Sequence, residues 1–211
     1  MNVENLSIFD EDYNRLGERT REEVHASGYW HETFHCWLTH YDEDSGEEYI
    51  YFQLRSDRKK DYPGLLDITA AGHILSHELI EDGVREVHEE LGIKIDFDDL
   101  SFAGVIKEEL IGSGIIDREL ANVFLYTNPV TFESFDLQLD ELSGILRTSL
   151  RNFEKLFTHE KEEVCSEGFI INAGSEKEYI KRNISIEDFV AHPNAYFHEI
   201  IKRVKIVLQG K

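Results

Sequence analysis

The chain has 211 residues, of which 43 are acidic and 22 basic, so its formal net charge is −21. This charge argues against sequence-independent binding to nucleic acids and to anionic membranes, because both attract basic surfaces. The sequence has no apolar run near 18 residues and no signal-like start, so we expect a soluble, cytoplasmic protein. Cys36 and Cys165 form neither a metal-binding spacing nor a disulfide framework, which fits a reducing compartment.

The first part of the chain alternates strand-like segments with turn signals. Residues 1–20 predict a short hairpin, and Thr20 with Glu23 forms a capping pattern that starts a brief helix through His25. Further strands are predicted where β-branched and aromatic residues run between turn residues. They cover residues 34–41, 48–55, 65–71, 100–110, 118–127 and 139–148, with a flexible Gly112-Ser113-Gly114 turn before the fifth of them.

Three helices are predicted after the first strands. One covers about residues 79–91, a second begins at the cap residue Ser149 and runs to 157, and an amphipathic third covers 194–208. The pattern from residue 159 onwards is mixed but mainly helical. Mixed strands around one central helix, with further helices at the end, predict an α+β protein arranged as an α/β/α sandwich.

The central helix carries the clearest chemical signal in the chain. Glu86, Glu89 and Glu90 stand at positions i, i+3 and i+4, which brings their side chains onto one helical face. Three like charges so close repel one another unless a cation lies between them. Carboxylate oxygens are the ligands that Mg²⁺ prefers, and Mn²⁺ is an alternative. A solvated acidic face is the simpler explanation of such spacing in an isolated helix.

The residues around these glutamates resemble the signature of the Nudix hydrolases, which is a Gly, five residues, a Glu, seven residues, and then Arg-Glu-U-x-Glu-Glu-x-Gly-U, where U is aliphatic. The resemblance spans about residues 34–157. One residue is missing between Glu78 and Arg85, which leaves the placement of Glu78 open. The matching residues are Gly72, Glu78, Arg85, Glu86, Val87, Glu89, Glu90, Gly92 and Ile93.

The resemblance implies a Nudix-type α/β/α sandwich with a mixed sheet. Residues 1–157 would form the Nudix domain with its N-terminal hairpin, and residues 158–211 would form a C-terminal helical extension packed on the same domain. The implied activity is Mg²⁺-dependent hydrolysis of the diphosphate linkage in a nucleoside diphosphate linked to a moiety X. The implied partner is therefore a small-molecule diphosphate. Related enzymes are often dimers, so a homodimer is left open.

Roles follow for individual residues under this resemblance. Glu86, Glu89 and Glu90 would hold the metal, and Arg85 would orient them. The general base would be a signature glutamate, such as Glu89 or Glu90, or one of the later residues Glu119 and Glu141. Gly72 would lie at the substrate. The planar guanidinium of Arg55 suits a phosphate, although a solvated arginine at a strand end is the alternative. Lys59 and Lys60 are expected to be ordinary loop lysines.

A second resemblance concerns the isopentenyl-diphosphate isomerases, which share the Nudix fold. It rests on His31-Glu32-Thr33-Phe34-His35-Cys36-Trp37, on Asp61-Tyr62-Pro63-Gly64 and on Ile68-Thr69-Ala70-Ala71-Gly72-His73. It implies a second metal centre for Mg²⁺, Mn²⁺ or Zn²⁺, although the spacing from His25 to His31 is one residue short. Ordinary polar residues of the scaffold are the alternative. The residues at the matching positions are His25, His31, His73, Asp117 and Glu119.

One position argues against the isomerase activity itself. Those enzymes use a cysteine for proton transfer immediately before the Gly-His pair, where this chain has Ala71. Alanine cannot move a proton. An isomerase-like enzyme is therefore the second hypothesis, and a catalytically silent nucleotide-binding Nudix module is the third. A nucleobase would stack on aromatic residues, although aromatic residues beside a strand are more often core. The candidates for stacking are Tyr29, Trp30, Phe34 and Trp37.

Overall fold

The computed structural model describes residues 4–112 and 115–209, so two residues of the predicted Gly112-Ser113-Gly114 turn lie outside it. Within these ranges the chain forms strands and four α-helices joined by short 3₁₀ turns. No described helix has both the length and the apolar character needed to cross a membrane. The helices are α1 (Arg21–Ser27), α2 (Arg85–Leu91), α3 (Leu150–Phe157) and α4 (Asn194–Gln209). The strands are β1 (Asn5–Phe9), β2 (Arg15–Thr20), β3 (Trp30–Asp42), β4 (Glu47–Arg55), β5 (Leu66–Asp67), β6 (Ala70–His73), β7 (Ser101–Gly112), β8 (Ile115–Tyr126), β9 (Leu142–Ser149), β10 (Val164–Ile171) and β11 (Lys177–Ile184).

The long strand β3 organises the sheet. Its first part pairs in parallel with β8 and antiparallel with β6, and its last four residues pair antiparallel with β4. The main path of the sheet runs β11-β10-β9-β4-β3-β1-β2, with β5, β6, β7 and β8 attached to it. The described strands therefore form one mixed sheet, as expected from the sequence.

Alternation along β3 separates two hydrophobic cores. Phe34, Cys36 and Leu38 lie in one core with Val87 and Leu91 of α2. The intervening residue Trp37 lies in the other core with side chains of α3 and α4. Successive strand residues point to opposite faces of a sheet, so the helices lie on both faces. This is the α/β/α arrangement that the sequence predicted.

The C-terminal region differs from the predicted helical extension. Strands β10 and β11 form an antiparallel hairpin that extends the sheet beside β9, and they are followed by a short 3₁₀ turn, Ile186–Asp188, and by α4. The missed signals are β-branched residues on either side of an Asn172-Ala173-Gly174-Ser175 turn. Many lysines and glutamates lie in this region, and the edge strand β11 carries several of them. Such charges are common on edge strands, where they oppose aggregation.

Two further predicted boundaries are corrected in the structure. The helix expected over residues 79–91 begins with a 3₁₀ turn, Ile80–Val84, and only Arg85–Leu91 is α-helical. Gly83 in that turn packs against Phe34, and a Cβ there would lie 2.6 Å from the Phe34 ring. The strand expected over 65–71 is two short strands, β5 and β6.

Candidate active site

A cleft of about 560 Å³ opens at one end of the sheet. It is lined by three kinds of charged or polar side chains contributed by different elements. Glu86, Glu89 and Glu90 of α2 form its acidic wall, and Arg55, Lys59, Lys60 and Arg85 supply positive charge. Further polar lining residues include His25, His73, Asp117 and Glu119, together with Glu141 and His192.

Helix α2 presents its glutamates at different depths. Val87 and Leu91 are buried in the core beneath the helix, and Gly92 ends it with a left-handed φ of 69°. Glu90 is 7% exposed, whereas the side chain of Glu89 is 56% exposed and stands at the mouth of the cleft. The side chain of Glu86 is 13% exposed. The helix therefore places carboxylate oxygens both deep in the cleft, from Glu86 and Glu90, and at its mouth, from Glu89.

Burial changes the protonation of the two deeper glutamates. Removal from water raises the pKa of Glu86 to about 7. Burial, with the nearby Glu86 carboxylate, raises the pKa of Glu90 well above its usual range. Gly72 makes this burial possible, because a Cβ at that position would overlap the Glu86 carboxylate. A divalent cation would favour the ionised form of both carboxyl groups, since an opposite charge lowers a carboxyl pKa.

Arg85 connects the acidic wall to the preceding loop. Its Nε donates to Glu78 Oε1 at 2.8 Å and its Nη2 donates to Glu78 Oε2 at 3.1 Å. Nη2 also donates to the carbonyl of His73 at 3.1 Å, and Nη1 donates to Glu86. The missing residue before Arg85 therefore does not remove Glu78 from the site. The two-point contact orients Arg85 beside the α2 carboxylates.

A cluster of imidazoles and carboxylates lies beside the acidic wall; we call His25, His31, His73, Asp117 and Glu119 the histidine cluster. The three imidazole rings have centroids 5.1–5.3 Å apart. His25 Nε2 lies 3.2 Å from His73 Nε2, and His31 Nε2 lies 3.4 Å from Asp117 Oδ1. The five residues that the resemblance to isopentenyl-diphosphate isomerases assigned to one site are therefore neighbours in space.

Four separate elements, α1, β3, β6 and β8, bring the histidine cluster together. The capping box of Thr20 and Glu23 starts α1, which carries His25. His31 of β3 stands opposite Glu119 of β8 in the parallel register, and β6 pairs with β3 so that His73 stands opposite Thr33. Residues far apart in sequence thus meet through the register of β3, β6 and β8 and through the placement of α1 beside them.

The histidine cluster has the electrostatics of a cation site. Burial lowers the pKa of His25 to about 4 and lowers the pKa values of His31 and His73, so all three rings are neutral. Burial and the neighbouring carboxylates raise the pKa of Asp117 to about 8. His31 Nε2 and Asp117 Oδ1 are buried atoms that make no hydrogen bond within the described residues. Neutral imidazoles and unpaired carboxylate oxygens are the ligands that divalent metals require.

Converging ligand groups occur in three overlapping sets in the described part of the chain. Each set has ligand atoms within 4.8 Å of one another, and the α2 carboxylates do not form such a set in the described structure. Two of these carboxylates instead face Arg85, which bonds Glu86 and lies 3.4 Å from Glu89. The sets are His25, His31 and His73; His31, Asp117 and Glu119; and His35, Glu108 and Glu119.

The other candidate substrate residues have clear positions. Arg55 lines the cleft while its Nη1 donates to Asp67 at 2.8 Å and its Nη2 donates to the carbonyl of Asp61 at 2.9 Å. The sequence predicts that Lys59 is an ordinary loop lysine. In the structure Lys59 instead lines the cleft and pairs with Glu141. Ala71 also lines the cleft, and its N–H donates to Glu90 Oε2 at 3.3 Å.

The aromatic residues considered for base stacking do not line the cleft. Phe34 and Trp37 are fully buried in the two cores. Tyr29 packs against a small cluster at the N-terminal hairpin, and Trp30 lies against the cations of Lys107 and Arg118. Among the described aromatic side chains other than histidine, the cleft includes Tyr62. The structure therefore agrees with the alternative given for Phe34 and Trp37, a place in the core, and offers no stacking surface in the cleft at the four positions.

Sequence reasoning missed a set of buried polar residues that includes part of the cleft lining. His192 bridges two carboxylates, with Nδ1 2.8 Å from Glu108 and Nε2 2.9 Å from Asp67. His35 lies 3.0 Å from Glu119. The period of two along β3 places His31 and His35 on one face, which was a usable signal. The partners of His192 are distant in sequence and left no such signal.

Fold and site together define a diphosphate-processing enzyme of the α/β/α sandwich type. No model of a known protein family matches the chain. The chain is 37% identical over 202 residues to an uncharacterised Nudix hydrolase of Clostridium acetobutylicum, covering 96% of this chain and 97% of that protein. The chain therefore belongs to the Nudix hydrolase family. The predictions of the family, of the fold class and of a pyrophosphohydrolase are confirmed.

Two other relatives cover smaller parts of the chain. Nudix hydrolase 3 of Arabidopsis thaliana is 31% identical over 156 residues, which are 69% of this chain and 20% of that protein. The isopentenyl-diphosphate Delta-isomerase of Mycolicibacterium vanbaalenii is 28% identical over 124 residues, which are 58% of this chain and 66% of that protein. The second similarity agrees with the isomerase-like motifs in the sequence.

Solved structures support the fold alone, because their identity to this chain is low. A protein of Deinococcus radiodurans has a TM-score of 0.53 at 20% identity, covering 74% of this chain and 88% of that one. A MutT/nudix family protein of Enterococcus faecalis has a TM-score of 0.51 at 13% identity, covering 84% and 62%. Membership of the family carries its general properties, a small-molecule nucleoside-diphosphate-linked substrate and a divalent metal.

Proposed function

We propose that the protein is an Mg²⁺-dependent hydrolase that cleaves the diphosphate linkage of a nucleoside diphosphate joined to a moiety X. One observation carries this proposal. The three glutamates of α2 and the basic side chains of Arg55, Lys59 and Lys60 line one cleft. An acidic wall that holds cations and a basic side that receives phosphate oxygens are the two components that diphosphate hydrolysis needs.

The α2 carboxylates fit a hard divalent cation by their donor chemistry. All are oxygen donors, and the two deeper ones have raised pKa values that an adjacent cation would lower. In the proposed site Glu86, Glu89 and Glu90 would hold Mg²⁺, with Mn²⁺ as an alternative. Such an ion, when bound, offsets phosphate charge and makes water more acidic.

Three further residues, Arg85, Arg55 and Ala71, would position the substrate and the carboxylates. Arg85 keeps Glu86 in place through its own contact with Glu78. Arg55 extends its guanidinium from Asp67 into the cleft lining, where phosphate oxygens would complete its hydrogen bonds. The backbone N–H of Ala71 holds Glu90 at 3.3 Å. Together these contacts hold the reacting groups in a fixed geometry.

Two carboxylates outside α2 are candidates for the general base. Glu141 lines the cleft and pairs with Lys59. Glu119 lies deeper: burial alone would raise its pKa, but the hydrogen bond from His35 and the nearby His31 lower it below the usual range. Glu119 therefore stays ionised at neutral pH. Separate Glu119→Gln and Glu141→Gln variants distinguish them, since only loss of the base removes the base-dependent limb of the pH–rate profile.

We also propose that the histidine cluster binds a second divalent cation. Its support is the mixed set of neutral imidazoles and carboxylates, in which the buried atoms His31 Nε2 and Asp117 Oδ1 make no hydrogen bond within the described part of the chain. Nitrogen and oxygen donors in one site suit Mg²⁺, Mn²⁺ or Zn²⁺.

The same histidine cluster favours a second candidate function, an isopentenyl-diphosphate isomerase-like activity. Proton transfer to an alkene would need an acid where Ala71 stands. Cys36 cannot replace it, because Cys36 is fully buried in the core beneath α2 and burial raises the pKa of its thiol. Hydrolysis therefore remains the preferred function.

A substrate panel tests the proposal. Purified protein is incubated with nucleotide sugars, other nucleoside diphosphate derivatives and isopentenyl diphosphate, each with Mg²⁺, with Mn²⁺ and with EDTA. We expect metal-dependent release of a phosphate-containing product from a nucleoside diphosphate derivative, and loss of that release in Glu90→Gln. Rearranged isopentenyl diphosphate without cleavage would favour the isomerase. Tight binding without turnover would favour a nucleotide-binding module.

A further inference from the structure

Glu119 is held from behind by two side chains of β3. His35 Nε2 lies 3.0 Å from Glu119 Oε2, and Thr33 Oγ1 donates to the same oxygen at 3.2 Å. His35 is 2% exposed and Thr33 is also 2% exposed. One ligand atom of Glu119 lies within 4.8 Å of those of His31 and Asp117. The contacts of His35 and Thr33 therefore fix the carboxylate that faces the histidine cluster.

A tyrosine of helix α4 contacts the nitrogen of His35 that faces away from Glu119. Trp37 Nε1, which can only donate, donates to Tyr196 Oη at 3.1 Å. The Tyr196 hydroxyl then has its own proton to give, and His35 Nδ1 lies 2.9 Å away. The ionised Glu119 carboxylate can only accept, so Nε2 of His35 carries the hydrogen that faces it, and Nδ1 of the neutral ring is free to accept the Tyr196 proton. Nε2 also lies 3.2 Å from Thr33 Oγ1, the second side chain of β3 that contacts Glu119.

The geometry of β3 explains why a helix 161 residues further along reaches His35. Thr33, His35 and Trp37 alternate with buried apolar residues and share the face of β3 that α4 covers. Tyr196 is 1% exposed, and its ring stacks on His192 with centroids 5.0 Å apart. Packing on several sides therefore holds the hydroxyl of Tyr196 at His35.

We infer that His35 is a positioning residue, oriented by Tyr196 of α4, which fixes Glu119 and thereby sets the cation affinity of the histidine cluster. The inference rests on the proposal that this cluster binds a divalent cation. It assigns to α4 a role in the site in addition to its place in the core. A residue that hydrogen-bonds to a metal-binding side chain holds that side chain in place. Its removal lowers the metal affinity about 10–100-fold.

Calorimetric titration of the full-length protein with Mn²⁺ tests this inference. Glu90→Gln should remove the Mn²⁺ binding of the acidic wall, and His31→Gln should remove that of the histidine cluster. The two variants therefore show which part of the titration curve belongs to which site. In Tyr196→Phe we expect the Mn²⁺ affinity of the histidine cluster to fall about 10-fold or more, with the affinity of the acidic wall unchanged. His35→Ala should cause a similar or larger loss, and His35→Gln should restore part of it because its amide still donates to Glu119.

Tyr51→Phe is the matched control, because Tyr51 is also 1% exposed and its hydroxyl accepts a hydrogen bond from Arg147 at 3.1 Å. It should lower stability without changing either Mn²⁺ affinity. Wild-type affinity of the histidine cluster in Tyr196→Phe would overturn the positioning role alone. If His31→Gln binds as much Mn²⁺ as the wild type, the cluster binds no cation, and both the second-cation proposal and this inference are overturned.

Discussion

The contact between Gly72 and Glu86 shows how a single residue shapes the site. Gly72 stands on β6 opposite Phe34 of β3, and its missing Cβ leaves the space that the Glu86 carboxylate occupies. The Nudix signature resemblance placed both residues at the site from sequence. Their direct contact required the structure, because it depends on how closely α2 approaches β6.

We predict that Gly72→Ala displaces Glu86 and lowers the hydrolysis rate at least tenfold, an effect of about 1.4 kcal/mol on the activation free energy. Steady-state kinetics with saturating Mg²⁺ measures it. Gly46→Ala is the control, since Gly46 has a φ of 68° in open space and its replacement strains only a turn. Unchanged kinetics in Gly72→Ala would mean that Glu86 has no part in the reaction.

We predict unequal effects of glutamate replacements along the signature. Glu90→Gln should lower turnover by on the order of 10²–10⁴-fold, the range for a carboxylate that takes part in proton transfer. Glu78→Gln should lower it much less, because Glu78 acts through Arg85 and the amide oxygen of Gln can still accept one of its hydrogen bonds. Equal losses would contradict the assignment of α2 as the metal-holding face. The measurement is kcat at saturating Mg²⁺.

Cation binding should depend on pH, because the α2 carboxyl groups must lose protons to bind. With the pKa of Glu86 raised to about 7, part of this group is protonated at neutral pH. We predict that Mg²⁺ affinity at the acidic wall rises between pH 6 and pH 8, measured by calorimetry in a buffer of matched ionic strength. An affinity that does not change over this range would show that Glu86 is already ionised.

At the scale of elements, short-range patterns predicted most of the fold. Capping at Thr20, the helical spacing of α2 and the apolar runs of the central strands were sufficient for the mixed sheet and its central helix. The hairpin of β10 and β11 was missed because its charged residues obscured the period of two. The bridge of His192 was missed because it joins β5 and β7 through a residue far from both.

The His192 bridge gives a testable pH dependence of folding. Burial opposes its charge, but Glu108 and Asp67 raise its pKa well above the usual value. The protonated bridge therefore stabilises the fold fully below the unfolded pKa of about 6.5 and loses this contribution as pH rises through the raised value. We predict that the free energy of unfolding falls from pH 6.5 upwards and falls less in His192→Gln.

Urea denaturation at several pH values between 6.5 and 9 measures this dependence. His77→Gln is the control, because His77 is exposed, and its pH profile should match the wild type. Parallel profiles for His192→Gln and the wild type would contradict the charged bridge.

At the scale of the whole molecule, the C-terminal segment is part of the main core and not an appendage to it. Helix α4 shares a core with the central strands and with α3. Burial of a large apolar side chain contributes about 1.5–3 kcal/mol to the free energy of unfolding. Five such side chains together contribute an amount comparable to the whole free energy of unfolding of a domain, about 5–15 kcal/mol. The buried residues of α4 are Tyr196, Phe197, Ile200, Ile201 and Val204.

We predict that a fragment ending at residue 157 does not fold on its own. Removing residues 158–211 takes away α4 and leaves β9 without its neighbour β10. Circular dichroism with thermal melting should show no cooperative transition for the fragment and a cooperative one for the full chain. A cooperative transition in the fragment would restore the division at residue 157 as a real domain boundary.

Hydrolysis at the α2 carboxylates is the central claim, and isotope incorporation tests it most directly. The protein is incubated with a nucleotide sugar or with isopentenyl diphosphate in ¹⁸O-labelled water with Mg²⁺, and the products are analysed by mass spectrometry. We predict one ¹⁸O atom in a phosphate product of the wild type, and none with EDTA or in Glu90→Gln. An isomerised diphosphate of unchanged mass, or a labelled product that persists in Glu90→Gln, would contradict the account.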